Sequence, residues 1–306
     1  MDSFLRAGPR SIFIGPNGVR AGWRFLAYVA IFMGLEQLLD AAVAPWVVKI
    51  LRLDENALDA QGLIVGEIFE GVAVLVATGI MAACERKRID AYGLPASSAF
   101  GKRFWEGIGI GVVSAGIVAV AMIVTGSMVV HGVALHGSAL PAQALLWGFG
   151  MLLVGLNEEY MFRGYPLQAL RRGMGFWPAA IVLSLLFGAA HLNKPDENAI
   201  DITNIVLLGL LLCLTVQRTG TLWLAAGFHV SFDFMQFFVI GTRNGGAQPV
   251  GRLLDVSFPG PAWANGGPLG TEASYFMLPV ILLLFIYIAV RFPKATPLEE
   301  GRRGAA

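Results

Sequence analysis

ALLWGFGMLLVGLNEEYMFRG, residues 144–164, reads as a bilayer-spanning run until it reaches two adjacent glutamates, Glu158 and Glu159. An ionised carboxylate in hydrocarbon costs several kcal/mol, and two in a row cost more. A chain that keeps them there must pair them, protonate them or use them. In the apolar stretches that follow, the strongly polar groups at comparable depth are Arg163, His191, His229 and Asp233. These six residues decide the reading.

The surrounding chain is apolar throughout. Of 306 residues 56% are hydrophobic and 14% charged, and the mean hydropathy is +0.66. Soluble domains carry about 25% charged residues, so the class is an integral membrane protein, all-α and polytopic. The net charge of +1 says nothing about nucleic acid, but no basic stretch has the length to track phosphates, so no nucleic-acid partner is expected. Cys84 and Cys213 have no paired spacing and read as packing residues. The N-terminal segment has no apolar core of signal-peptide type.

Hydropathy predicts about eight spans, at 23–50, 60–84, 104–130, 141–162, 175–193, 199–217, 219–240 and 274–292. They form one transmembrane domain over 23–292, with a functional core at 141–240, an N-terminal tail at 1–22 and a C-terminal tail at 293–306. Glu36, Gln37 and Asp40 interrupt the first span, and Glu67 and Glu70 open the second. Gly107, Gly109, Gly111 and Gly116 suit the third to close helix contact. Arg6, Arg10, Arg20 and Arg24, then 86–88, Lys102, Arg103, Arg171, Arg172, Arg218, Arg291, Lys294, Arg302 and Arg303 fall at alternate loops and both tails. That bias predicts cytoplasmic termini in the inner (cytoplasmic) membrane. The Gly/Pro-rich loop 241–273 is then external and expected to be irregular. Trp23, Trp46 and Trp105 read as interfacial anchors, Trp147 and Trp177 as further ones, and His131 and His136 as solvated.

Helical spacing groups the polar residues. Glu159 and Arg163 are four apart and share a face, and so do His229 and Asp233. Glu158 points about 100° away from Glu159. Gly188, Ala189 and Ala190 thin the helix beside His191, with Phe187 one turn earlier. Counted along alternating helices, Glu158, His191 and His229 fall within about 10 Å in depth, which predicts one shared pocket. Two imidazoles and a carboxylate suffice for a catalytic zinc with an open position, a glutamate then activating water. A carboxylate can also activate water directly, the histidines stabilising the oxyanion. Spacing leaves both routes open. There is no His-Glu-x-x-His or Gly-x-Ser-x-Gly motif, and Ser231 sits on a different face from His229.

Glu-Glu-x-x-x-Arg at 158–163, Phe-x-x-x-His at 187–191 and His-x-x-x-Asp at 229–233 resemble the three motifs of the CPBP intramembrane proteases. That family includes the type II CAAX prenyl endopeptidases and bacteriocin-processing proteins. The likeness covers roughly 145–240, with a further echo in Arg-Lys-Arg…Tyr-Gly-Leu at 86–94. Its third motif ends in Asn or Asp, here Asp233. The resemblance implies a conical pocket open to the cytoplasm and to lipid. Glu158 would be the water-activating base, and His191 and His229 metal ligands or oxyanion donors. Asp233 would support the pocket, while Glu159, Arg163 and Phe187 support the site. One divalent metal, zinc first, on His191, His229 and Asp233 is one form of that chemistry, and none is the other. The implied activity is endopeptidase cleavage of a peptide or protein with an apolar or lipid-modified end, reached from the bilayer. A catalytically silent scaffold on the same fold is the first alternative. A proton-coupled carrier is the second, although no internal repeat supports it.

Overall fold

The computed structural model describes residues 10–16, 18–54, 56–192 and 195–293. Arg6, the side chain of Arg10, Lys194 and the tail from 294 onward, with Lys294, Arg302 and Arg303, lie outside them.

Ten helices carry the architecture: α1 Ala21–Ala42, α2 Ala44–Leu51, α3 Ala60–Cys84, α4 Lys102–Val124, α5 Ala139–Glu159, α6 Tyr165–Met174, α7 Phe176–Ala190, α8 Ala199–Thr219, α9 Trp223–Asp233 and α10 Met277–Arg291. A π-helical turn, Tyr160–Gly164, joins α5 to α6, and another, Phe234–Ile240, extends α9. Among the described residues six helical runs are long and apolar enough to cross a membrane: α1, α3, α4, α5 with its continuation to Met174, α8, and α9 with its extension. The remaining two expected spans coincide with α7 and α10, apolar helices of 15 residues each. Fifteen residues rise only about 22 Å, short of a hydrocarbon core of about 30 Å. Six spans therefore meet the length requirement, and the expected eight are not all established.

Several boundaries have visible causes. Asp59 caps α3 by accepting from the amides of Gln61 and Gly62, and Asn198 caps α8 through Ile200 and Asp201. The first expected span, 23–50, breaks at Val43, where Pro45 opens α2. The third ends at Val124, not 130, because Val129 and Val130 join a strand, Val129–Val133, paired antiparallel with Leu254–Ser257. That pairing corrects the reading of 241–273 as irregular. Besides the strand, the loop holds a helical turn, Ala262–Asn265, and two 3-10 turns. Asn265 Nδ2 donates to the carbonyls of Phe258, Pro259 and Gly260. Such side-chain bonds satisfy loop backbone that has no ladder of its own.

The tightest helix pair is α4 against α9. A Cβ on Gly227 would collide with the Phe104 carbonyl, and one on Gly107 with that of Leu224. Gly111 lies against Phe228 and Ser231. Gly109 and Gly116 face open space, so only two of the four glycines singled out in the third span make the contact.

The arginine-bearing ends gather on one side. Glu85, just past α3, meets Arg24 of α1 and Arg172 of α6. Arg103 and Arg291 share Glu106, and Arg218 Nη1 donates to the Phe292 carbonyl. Gly93 of the 86–94 echo takes a positive φ, and its carbonyl receives the amide of Leu222 at 2.7 Å, which sets the start of α9 at that same end.

Candidate active site

Glu158 and Glu159 end α5 immediately before the π turn. A π turn holds one residue more per turn than an α-helix and recurs at functional sites. Here it lets Glu159 and Arg163 turn inward while Glu158 borders a cavity. Arg163 Nη1 donates to Glu159 Oε1 at 3.1 Å, with both side chains almost wholly buried. The same Glu159 oxygen lies 3.0 Å from Nδ1 of His229. An ionised carboxylate only accepts, so Nδ1 carries the hydrogen and Nε2 is left to face the other acids. Nε2 lies 3.5 Å from Glu158 Oε2 and 3.4 Å from Asp233 Oδ2.

Phe187 ties the three motifs together. Its ring stands edge-on to His191 at 4.9 Å and to His229 at 6.4 Å. The Arg163 guanidinium lies 4.4 Å from the centre of the same ring. A desolvated cation over an aromatic face is worth about 2 kcal/mol. His191, just past the end of α7, directs Nδ1 to the Phe187 carbonyl at 2.8 Å. A carbonyl accepts, so this hydrogen too sits on Nδ1.

These groups border a cavity of about 180 Å³. Glu158, His191, His229, Asp233 and Phe187 all line it, as the depth count expects. Glu159 and Arg163 lie behind its wall. Glu158 Oε2 is shut from solvent and, among the described residues, accepts no hydrogen bond. The remaining walls are largely apolar, from Leu63, Met151, Val154, Leu208 and Phe232. Trp147 also lines it, fully buried, stacked 6.3 Å from Phe237 and donating Nε1–H to the Val250 carbonyl. The expectation of an interfacial anchor at Trp147 is thus corrected, whereas Trp23, Trp46, Trp105 and Trp177 are exposed.

Sequence reasoning noted Glu67 without giving it a role and missed Asn157, Asn244 and Glu272. Glu67, Asn244 and Glu272 line the cavity. Asn157 Nδ2 donates to both the carbonyl and the carboxylate of Glu67, tying α5 to α3 next to Glu158. The signal available was the acid in the second span, which needed a partner at depth. Glu272 is joined by Gln236 Nε2 at 3.0 Å, and its loop position hid it. Ser231 is buried away from the cavity, donating to the carbonyls of Gly227 and Phe228. His131 is exposed but meets Ser257 at 2.8 Å. Cys213 is buried and free, as expected of a packing residue.

Among the described residues no three His, Cys, Asp or Glu side chains are grouped to hold a metal ion. Both imidazoles commit Nδ1, to Glu159 and to the Phe187 carbonyl. Each ring therefore keeps its Nε2 lone pair free, the tautomer in which histidine ligates zinc while a carboxylate or carbonyl holds Nδ1–H, so His191, His229 and Asp233 fit such a centre by donor chemistry.

The three motifs sit in one continuous homologous stretch. Residues 140–235 match the family described as type II CAAX prenyl endopeptidase Rce1-like. This segment is Rce1-like. The family resemblance carried by the three motifs is thereby borne out, since the match encloses all of them. An Escherichia coli relative, the "Uncharacterized 24.3 kDa protein", is 35% identical over 81 residues. That stretch is 26% of this chain, and the chain spans 36% of the relative's length. The Rce1-like segment supplies Glu158, His191, His229 and Asp233, while α3 and the 241–276 loop supply further cavity wall.

Proposed function

We propose that this protein is an intramembrane endopeptidase acting on a membrane-associated peptide. The observation that carries the reading is the meeting of Glu158 and His229 at 3.5 Å on the wall of a lined cavity, inside the Rce1-like segment. Glu158 takes a proton from a water as that oxygen attacks the scissile carbonyl carbon. The developing oxyanion takes a hydrogen bond from Nε2–H of His229 or His191 in its imidazolium form, because Nδ1–H of each is already committed to Glu159 or to the Phe187 carbonyl. The proton on Glu158 then passes to the leaving amine as the C–N bond breaks. Glu159 and Asp233 hold His229 from both sides, and Phe187 spaces the two imidazoles. On the alternative, metal-bound route His191, His229 and Asp233 would hold the ion, which would polarise the water or the scissile carbonyl.

The test compares peptide termini in membranes from wild-type and Glu158→Gln cells. New termini should appear only with the wild type, and chelator should leave the purified enzyme's turnover unchanged. Identical termini in both would instead support the silent-scaffold alternative, and activity lost to chelator and restored by zinc would return the metal route.

A further inference from the structure

The cavity is lined from one end of the bundle inward. Its wall includes Leu58 before α3, Asn244 and Glu272 from the 241–276 loop, and His191 past the end of α7. These all belong to the end opposite the arginines. Its deepest lining residues in the other direction are Leu212 of α8 and Phe228 of α9. Each stops about 8–10 Å along its helix from the arginine-bearing end, at about 1.5 Å per residue. Glu159 and Arg163 are buried behind its wall.

Two expectations then conflict. Among the described residues from Arg20 to Arg291, eleven Lys and Arg sit at the arginine-bearing end, four (Lys49, Arg52, Arg243 and Arg252) at the opposite end, and Arg163 is internal. Such asymmetry near span ends orients the arginine-bearing end to the cytoplasm. The cavity then faces outward, not toward the cytoplasm as the family resemblance implies. Its lining carries a second pointer. Glu67, Glu158, Asp233 and Glu272 line it with no Lys or Arg among the described lining residues. A free C-terminal carboxylate, as on a CAAX tail, would meet four acids against two histidines and no Lys or Arg there.

We propose that the site opens to the non-cytoplasmic side and takes an internal, extracytoplasmic juxtamembrane segment of a membrane-anchored polypeptide, not a cytoplasmic lipidated C-terminus. The substrate class rests on the endopeptidase reading. The sidedness does not.

The experiment uses full-length protein carrying Cys84→Ser, with buried Cys213 retained, and one added cysteine. Ser97→Cys marks the arginine-bearing end, Ser138→Cys the opposite end, and Asn244→Cys the cavity wall. Spheroplasts of a Gram-negative expression host are treated with a membrane-impermeant maleimide before and after detergent lysis. Ser138→Cys and Asn244→Cys should label at least tenfold faster than Ser97→Cys before lysis, and Ser97→Cys only after it. The reverse order, or equal labelling of both ends, overturns the proposal. The same labelling on a Glu158→Gln background should be unchanged. Peptide termini lost in Glu158→Gln membranes should lie on external juxtamembrane segments. Termini on cytoplasmic tails overturn the substrate class. An absence of any difference overturns the endopeptidase reading, with the sidedness still decided by the maleimide.

Discussion

Glu159 holds His229 by its Nδ1, at 3.0 Å, with the same oxygen that accepts from Arg163. One carboxylate oxygen thus joins the first and third motifs. This changes its role from the helix-stabilising pair suggested by i,i+4 spacing to the group that sets the histidine's tautomer. Glu159→Gln keeps the shape and loses the charge. Turnover should fall about 10–100-fold with little change in KM, the usual cost of losing a group that orients a functional histidine. An unchanged rate on a peptide identified by the membrane comparison would remove Glu159 from the site.

Arg163 should matter more for folding. Arg163→Ala leaves Glu159 as a buried charge without its arginine, a situation that costs about 3–5 kcal/mol. A thermal melt in detergent should drop sharply. Arg163→Lys should recover only part of it, because an ammonium cannot spread flat over the Phe187 ring 4.4 Å away. Equal melting of wild type and Arg163→Ala would refute the pairing.

Phe187 tests the coupling among motifs. Phe187→Ala removes a nearly buried ring that touches both histidines and should cost about 3–5 kcal/mol. Phe187→Leu refills much of the volume without a π face and should melt closer to wild type. If both turn over normally in the folded fraction, the ring does not space the imidazoles.

The six polar residues were legible in the sequence because each violates the cost of polarity in hydrocarbon; four of them line one cavity, and Glu159 and Arg163 pair behind its wall. The bends that bring them together were not. Nothing in Tyr160–Gly164 or Phe234–Ile240 announces a π turn, since that geometry answers to packing around Glu159 and Asp233. Glycine content was visible in the third span. Which glycines meet α9 was not, because that depends on the rotation of one helix against another. The 241–273 loop misled for a related reason. Its Gly and Pro residues set turns inside an ordered cap whose stabilising bonds come from Asn265 and from a strand over 100 residues earlier.

Gly227 and Gly109 separate contact from composition. Gly227→Ala forces a Cβ into the Phe104 carbonyl, and overpacking of this kind costs about 1–3 kcal/mol or more. Gly109→Ala meets nothing within 4 Å and should be neutral or slightly stabilising in a helix. A melt that falls equally for both would disprove the α4–α9 packing described above.

Glu85 gives a pH dependence outside the spans. Burial alone would raise its pKa, but hydrogen bonds from Arg172 and Tyr165 and the charges of Arg172 and Arg24 override it and hold the carboxyl below the usual range. A depressed folded pKa means stability that is complete above the unfolded value, about 4.3, and lost as pH falls below it through the folded value. Wild type should therefore exceed Glu85→Gln by about 1–3 kcal/mol at neutral pH, the worth of hydrogen bonds to a charged group. The gap should shrink only below about pH 4. Because Glu85 joins the start of α1 to Arg172 and Tyr165 of α6, its loss should first loosen α1 in hydrogen exchange. A gap that persists unchanged at pH 3 would show that the carboxylate's charge does not hold those helices.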